Sequence, residues 1–193
     1  MKSPSMLHVS STRWFCAAAC AALFLGSAVV FADEGSSGFH DGRWRIEVSG
    51  AVGYDSGRHD REGDSVFTGN VEYEWPVYAR CTLGLRAYPL FMYDQNHDDP
   101  TVWGGGVGVV GRIYQNKEER RGLFVEAGVA AMGQDEHIQG NSSSINFLSE
   151  GGVGYQFKNN WHVTLEVQHI SNAHLTSENA GANSVGLAVG FSF

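Results

Sequence analysis

Three side chains near the C-terminus have the types and spacing that ester hydrolysis requires. Gln168-His169-Ile170-Ser171-Asn172-Ala173 sets a His and a Ser two residues apart, and on an extended chain such residues share a face. A serine hydroxyl is a weak nucleophile until an imidazole takes its proton, and a third group must hold that imidazole in the correct tautomer. Asn183 can be the third member, because it opens the last apolar alternation of the chain and an antiparallel hairpin returns it to His169. Its carboxamide oxygen can accept from Nδ1–H, as the Asn of Cys-His-Asn proteases does, but it carries no charge to stabilise an imidazolium. The plainer alternative makes His169 and Ser171 interfacial residues satisfied by loop backbone.

Strands must position these groups. Residues 184–193 read Ser-Val-Gly-Leu-Ala-Val-Gly-Phe-Ser-Phe. Val185, Leu187, Val189, Phe191 and Phe193 form one face, and only small residues form the other. That division suits a narrow barrel whose apolar face meets lipid. A strand ending in Phe also resembles the C-terminal signature of outer-membrane barrels. Seven further alternations precede it, centred on Trp44–Tyr54, Val71–Trp75, Cys81–Ala87, Trp103–Ile113, Leu123–Val129, Phe147–Phe157 and Trp161–Val167. The sequence thus predicts an all-β fold, an eight-stranded antiparallel transmembrane barrel with strands of roughly 9–11 residues. Ionised groups are costly in hydrocarbon, so Arg45, Glu47, Glu72, Glu74, Arg86, Glu126, Glu150 and Glu166 are expected inside. Short turns near Pro76, at 115–122 and at 158–160 alternate with longer polar connections at 55–65, 93–100, 133–144 and 172–183. Trp44, Trp75, Tyr114 and Trp161 are expected in interfacial girdles. The parity of Trp161, Val163, Leu165 and Val167 carries His169 and Ser171 to the outer wall. Polar groups there call for a functional reason.

The N-terminus reads as export. Lys2 and Arg13 precede an apolar run, Trp14 to Phe31, that ends in Val30-Phe31-Ala32. This is the pattern of a cleaved signal peptide at residues 1–32, leaving 33–193 as the barrel. Without it the chain has 11 Lys+Arg against 21 Asp+Glu, a net charge of −10. So acidic a protein is a poor nucleic-acid partner. Cys81 is then the sole cysteine, which excludes an internal disulfide. His59, His97 and His137 stand in acidic loops, but their spacing matches no defined metal site. Neither a metal nor another cofactor is expected.

His169-Ile-Ser171-Asn172-Ala173, Asn179-Ala-Gly181-Ala-Asn183 and Glu150-Gly-Gly-Val-Gly-Tyr155 together resemble the PagL family of outer-membrane lipid A deacylases. The resemblance is specific over 149–193 and architectural over most of the remainder. It implies an eight-stranded barrel in the bacterial outer membrane with its site on the outer wall. It also implies hydrolysis of the ester at the 3 position of lipid A, with His169 as base, Ser171 as nucleophile, Asn179 at the oxyanion and Asn172 assisting. The family's acid falls on Asn183, a departure that leaves Glu178 as the alternative acid. Ala180 stands where many relatives have Pro. The expected partners are lipid A or lipopolysaccharide as substrate, the outer membrane, and a second copy of the chain in a homodimer. The competing reading is a non-catalytic outer-membrane barrel with a structural or surface-interaction role.

Overall fold

A computed structural model describes residues 38–193 apart from 56–58, 97–98 and 117–118. The expected signal peptide and His97 lie outside the described residues. Eight strands close into a barrel in chain order: β1 (Arg43–Tyr54), β2 (Ser65–Tyr78), β3 (Cys81–Asp94), β4 (Val102–Asn116), β5 (Arg121–Gln134), β6 (Ile145–Gln156), β7 (Trp161–Ser171) and β8 (Ala182–Ser192). All neighbouring pairs are antiparallel, and β1 seals against β8 with Ile46 opposite Phe191 and Val48 opposite Val189. Closure pairs the backbone groups that a sheet edge would leave open to hydrocarbon. The strands run from 11 to 15 residues, several of them longer than the alternation alone predicts.

The two faces sort as the sequence predicts. Leu165, Val167, Leu187 and Val189 are exposed on the outer wall, and Arg45, Glu47, Glu72, Glu74, Arg86, Glu126, Glu150 and Glu166 are all buried inside. Aromatic rings gather at the end that carries the short turns. Phe39, in a 3₁₀ turn before β1, packs on Tyr73 and Trp75 with centroids 4.8 and 5.1 Å apart. Trp161 meets Phe191 at 5.5 Å. Two expectations need correction. Tyr114 is not an interfacial residue: it is 1% exposed, inside the lumen, where its hydroxyl donates to Glu74 at 2.8 Å. Nor does β2 stop at Pro76. It continues to Tyr78, and a register shift between Pro76 and Tyr78 absorbs the missing N–H.

The lumen is filled in two layers. Toward the short turns lies an ion-pair network. Arg86 donates to Glu72 at 2.7 Å and to Glu150 at 2.6 Å; Arg112 donates to Glu126 at 2.6 Å and also to Glu72. Tyr114 and Arg43 hold Glu74, and His162 meets Glu47 at 2.9 Å. A Cβ added to Gly190 would lie 2.4 Å from the His162 ring, so a glycine there makes room for it. Toward the longer loops lies an apolar layer that includes Phe91, Val102, Met132, Leu148, Ile170 and Ala182. The described residues of the connections β1–β2, β3–β4, β5–β6 and β7–β8 lie at that end. They are tied to one another: Arg61 donates to the Gln139 carbonyl at 2.6 Å, and the Gln139 N–H donates to Gln95 at 2.7 Å.

Candidate active site

Strand register puts Ser149, His169 and Asn183 in one row across β6, β7 and β8, with Phe147 opposite Ser171 one step nearer the loops. The residues between them point inward. Leu148, Ile170 and Ala182 are 1%, 4% and 3% exposed in the apolar layer of the lumen. The site is therefore the outer side of three strands whose inner side is fixed by packing.

His169 Nδ1 lies 2.7 Å from Asn183 Oδ1. A carboxamide oxygen can only accept, so the ring carries its proton on Nδ1 and leaves a lone pair on Nε2. That is the tautomer a general base needs. Gly181 forms one wall of the imidazole. A Cβ at 181 would stand 2.6 Å from His169 Cε1 and 3.3 Å from Nε2, so only glycine lets the ring lie this close to the chain entering β8. Ser171 is buried at the end of β7 on the same face. Its hydroxyl makes no hydrogen bond with His169 in this conformation. Such contacts are often long in unliganded sites and tighten with substrate.

The chain after Ser171 is held in an uncommon shape. Ala173 and His174 both have positive φ, 51° and 65°, a conformation that non-glycine residues keep only when their surroundings enforce it. Asn172 does so. Its Oδ1 accepts the His174 N–H at 2.8 Å, and the two hydrogens of its Nδ2 are shared among three acceptors, Asn141 at 2.9 Å, Thr176 at 2.6 Å and the Glu178 carbonyl at 2.8 Å. Asn179 joins the same corner, where its Oδ1 accepts the Asn172 N–H at 2.9 Å. With the oxygen so occupied, the Asn179 NH₂ is left as its donor. Glu178 contributes its carbonyl to the corner, while its side chain is exposed and forms no ion pair with His169 among the described residues. The structure thus joins His169 to Asn183 and joins Asn172 to Asn179, and it leaves the Glu178 carboxylate apart from both.

Two residues that shape the candidate site carry no catalytic signal in sequence. Gly181 belongs to the motif, but its part as a wall for His169 depends on how closely two strands approach. Asn141 sits in a polar loop 31 residues before Asn172, and only the folded contact reveals it. Of the loop histidines, His137 lies 3.3 Å from Ser144 and His59 abuts Gly140. Among the described residues no group of three His, Cys, Asp or Glu side chains is arranged to hold a metal.

The family model described as lipid A 3-O-deacylase (PagL) matches residues 29–192. The chain belongs to the PagL family. The PagL family is one of lipid A deacylases, and this member is an outer-membrane β-barrel. No curated protein matches the sequence. Among solved structures, the outer-membrane enzyme PagL superposes with a TM-score of 0.57 at 18% identity, covering 76% of this chain and 98% of that one. Neisserial surface protein A gives a TM-score of 0.53 at 12% identity, with 83% of this chain and 100% of that chain covered. The N-terminal barrel domain of Pseudomonas aeruginosa OprF gives 0.50 at 16% identity, covering 79% and 98%. At these identities the likeness speaks for the shared barrel; the family match is what separates this chain from the other barrels.

Proposed function

We propose that the protein hydrolyses the ester-linked acyl chain at the 3 position of lipid A in the outer leaflet, using Ser171 as nucleophile and His169 as base. The observation that carries this reading is the 2.7 Å contact between His169 Nδ1 and Asn183 Oδ1, which leaves Nε2 as the ring's acceptor for a proton. In the reaction, His169 Nε2 takes the Ser171 proton as Oγ adds to the ester carbonyl. The Asn179 NH₂ donates to the developing oxyanion, a contribution that commonly lowers a barrier by about 3 kcal/mol. His169 then returns the proton to the departing sugar oxygen, and the acyl-serine is cleaved by a water that His169 deprotonates. Asn172 supports the corner; its side-chain hydrogens are committed to the loop.

Asn183 supplies orientation without charge. Charge-assisted hydrogen bonds are roughly twice as strong as neutral ones, so turnover should be slower than with an acid in this place. The test is purified, detergent-folded protein incubated with lipid A and followed by mass spectrometry. The parent should release one ester-linked acyl chain, and folded Ser171→Ala and His169→Ala should release none. Folded parent that leaves lipid A intact would instead support a non-catalytic barrel with a surface role. Size measurement of the detergent-folded protein would test the homodimer, which should run at twice the protomer mass.

A further inference from the structure

The corner that follows Ser171 is not self-supporting. Three buried carboxamides, those of Asn141, Asn146 and Gln134, connect it through β6 to the end of β5. Asn172 Nδ2 donates to Asn141 Oδ1 at 2.9 Å, Asn141 Nδ2 donates to Asn146 Oδ1 at 2.6 Å, and Asn146 Nδ2 donates to Gln134 Oε1 at 2.6 Å. Asn172 and Asn146 are fully buried, and Asn141 and Gln134 nearly so. Every donor in the chain points the same way, from the corner toward β5. That shared sense fixes which end of each amide is oxygen and which is nitrogen, since reversing one alone would set oxygen against oxygen. The main chain reinforces the link. Asn141 pairs with Asn179 in an isolated antiparallel bridge, and the Ala180 N–H donates to the Gly140 carbonyl at 2.8 Å.

We infer that Asn141 is a positioning residue of the candidate active site: by fixing the orientation of the Asn172 carboxamide and pairing with Asn179, it holds the Ser171–Asn172 corner and aims the Asn179 NH₂. This rests on the deacylase reading above and adds a part from a loop outside its motif. One consequence distinguishes it from general loop stability. The other two acceptors near Asn172 Nδ2, Thr176 and the Glu178 carbonyl, belong to its own loop, so loss of Asn141 removes the side-chain tie that fixes the Ala173–His174 turn to the neighbouring loop. The Asn141–Asn179 bridge is a main-chain pairing and persists, so the effect on Asn179 passes through Asn172, whose N–H it accepts. Substrate binding along the barrel wall does not pass through Asn141, so the loss should appear in turnover and not in KM.

The experiment compares the full chain, folded in detergent, with Asn141→Ala, Asn141→Asp and Gln95→Ala. Asp at 141 is isosteric and still accepts the Asn172 Nδ2–H, whereas Ala cannot; the oxygen it turns toward Asn146 is met when the Asn146 and Gln134 amides turn over together, which gives the otherwise unpartnered Gln134 Nε2 an acceptor. Gln95→Ala loosens the same loop cap by removing the tie to Gln139 without touching the carboxamide chain. Two readouts are taken at equal folded fraction, judged by heat-modifiable gel migration: acyl release from lipid A, and the rate at which a fluorophosphonate labels Ser171. Asn141→Ala should lower kcat and the labelling rate at least about tenfold, equivalent to ~1.4 kcal/mol of barrier, with KM within about twofold. Asn141→Asp should stay within about threefold of the parent. Equal rates in parent and Asn141→Ala, or an equal fall in Gln95→Ala, would overturn the inference. If the parent is labelled at Ser171 in an Asn141-dependent way yet leaves lipid A intact, the lipid A reading fails while the positioning role stands.

Discussion

At the scale of single residues, the site turns on what Asn183 lacks and what Gly181 makes room for. Asn183 already has its oxygen 2.7 Å from His169 Nδ1, so Asn183→Asp puts a carboxylate oxygen there with no change of length. A neutral amide in place of a triad Asp costs serine proteases on the order of 10⁴ in turnover. Asn183→Asp should therefore raise acyl release at least about tenfold, measured as kcat on lipid A at equal folded fraction; an unchanged rate would mean charge at this position is not limiting. Gly181→Ala acts in the opposite direction. The added methyl would meet His169 Cε1 at 2.6 Å, forcing the ring off Asn183, and kcat should fall by at least about tenfold while the barrel still shows heat-modifiable migration. That His169 and Asn183 would face one another was legible in the sequence, because strand parity and hairpin return are periodic properties. The roles of Gly181 and Asn141 were not, because they arise from close approach between segments that carry no shared period.

At the scale of elements, alternation predicted the strands well and their ends poorly. A period of two says which face a residue takes, and it carried the outward Leu165 and Leu187 and the inward Glu126 and Glu166 correctly. It says little at strand ends, where Pro76 reads as a turn yet lies within β2. Tyr114 departs from expectation for a related reason: aromatic type near a strand end suggests an interfacial girdle, whereas parity with Val110 and Arg112 puts it inside. Its hydroxyl joins Glu74, Arg43 and Arg45. Tyr114→Phe removes that bridge while keeping the ring, and should lower unfolding free energy by about 1–3 kcal/mol, read from urea unfolding in detergent. An interfacial Tyr114 would tolerate the change. The outer face makes a separate prediction. Leu165→Arg puts a guanidinium on the lipid wall of β7, at a cost of about 2–4 kcal/mol near the bilayer midplane. Folding yield into lipid vesicles should drop, and yield equal to the parent would contradict the lipid-facing assignment.

At the scale of the whole molecule, a filled barrel carries the candidate site on its wall. That the lumen would be polar was legible, because eight ionisable residues share the inward parity. Which residues would pair was not, since the partners are remote in sequence: Arg86 and Glu150 are 64 residues apart. Arg112 is the keystone of the network, with contacts to Glu72 and Glu126. Arg112→Met would take from buried Glu126 its hydrogen-bonding arginine and leave Glu72 with Arg86 alone, at a cost of about 3–5 kcal/mol, visible as a lower urea midpoint. The site depends on this frame only through the apolar layer behind it, so folded protein should keep its activity. The central claim is that Ser171 on the outer wall deacylates lipid A, and the most direct measurement is mass spectrometry of lipid A from cells expressing the parent or Ser171→Ala at matched levels of folded barrel. Lipid A from the parent should lack one acyl chain at the 3 position, and lipid A from Ser171→Ala should be intact. Intact lipid A in both, or the same loss in both, would contradict the account.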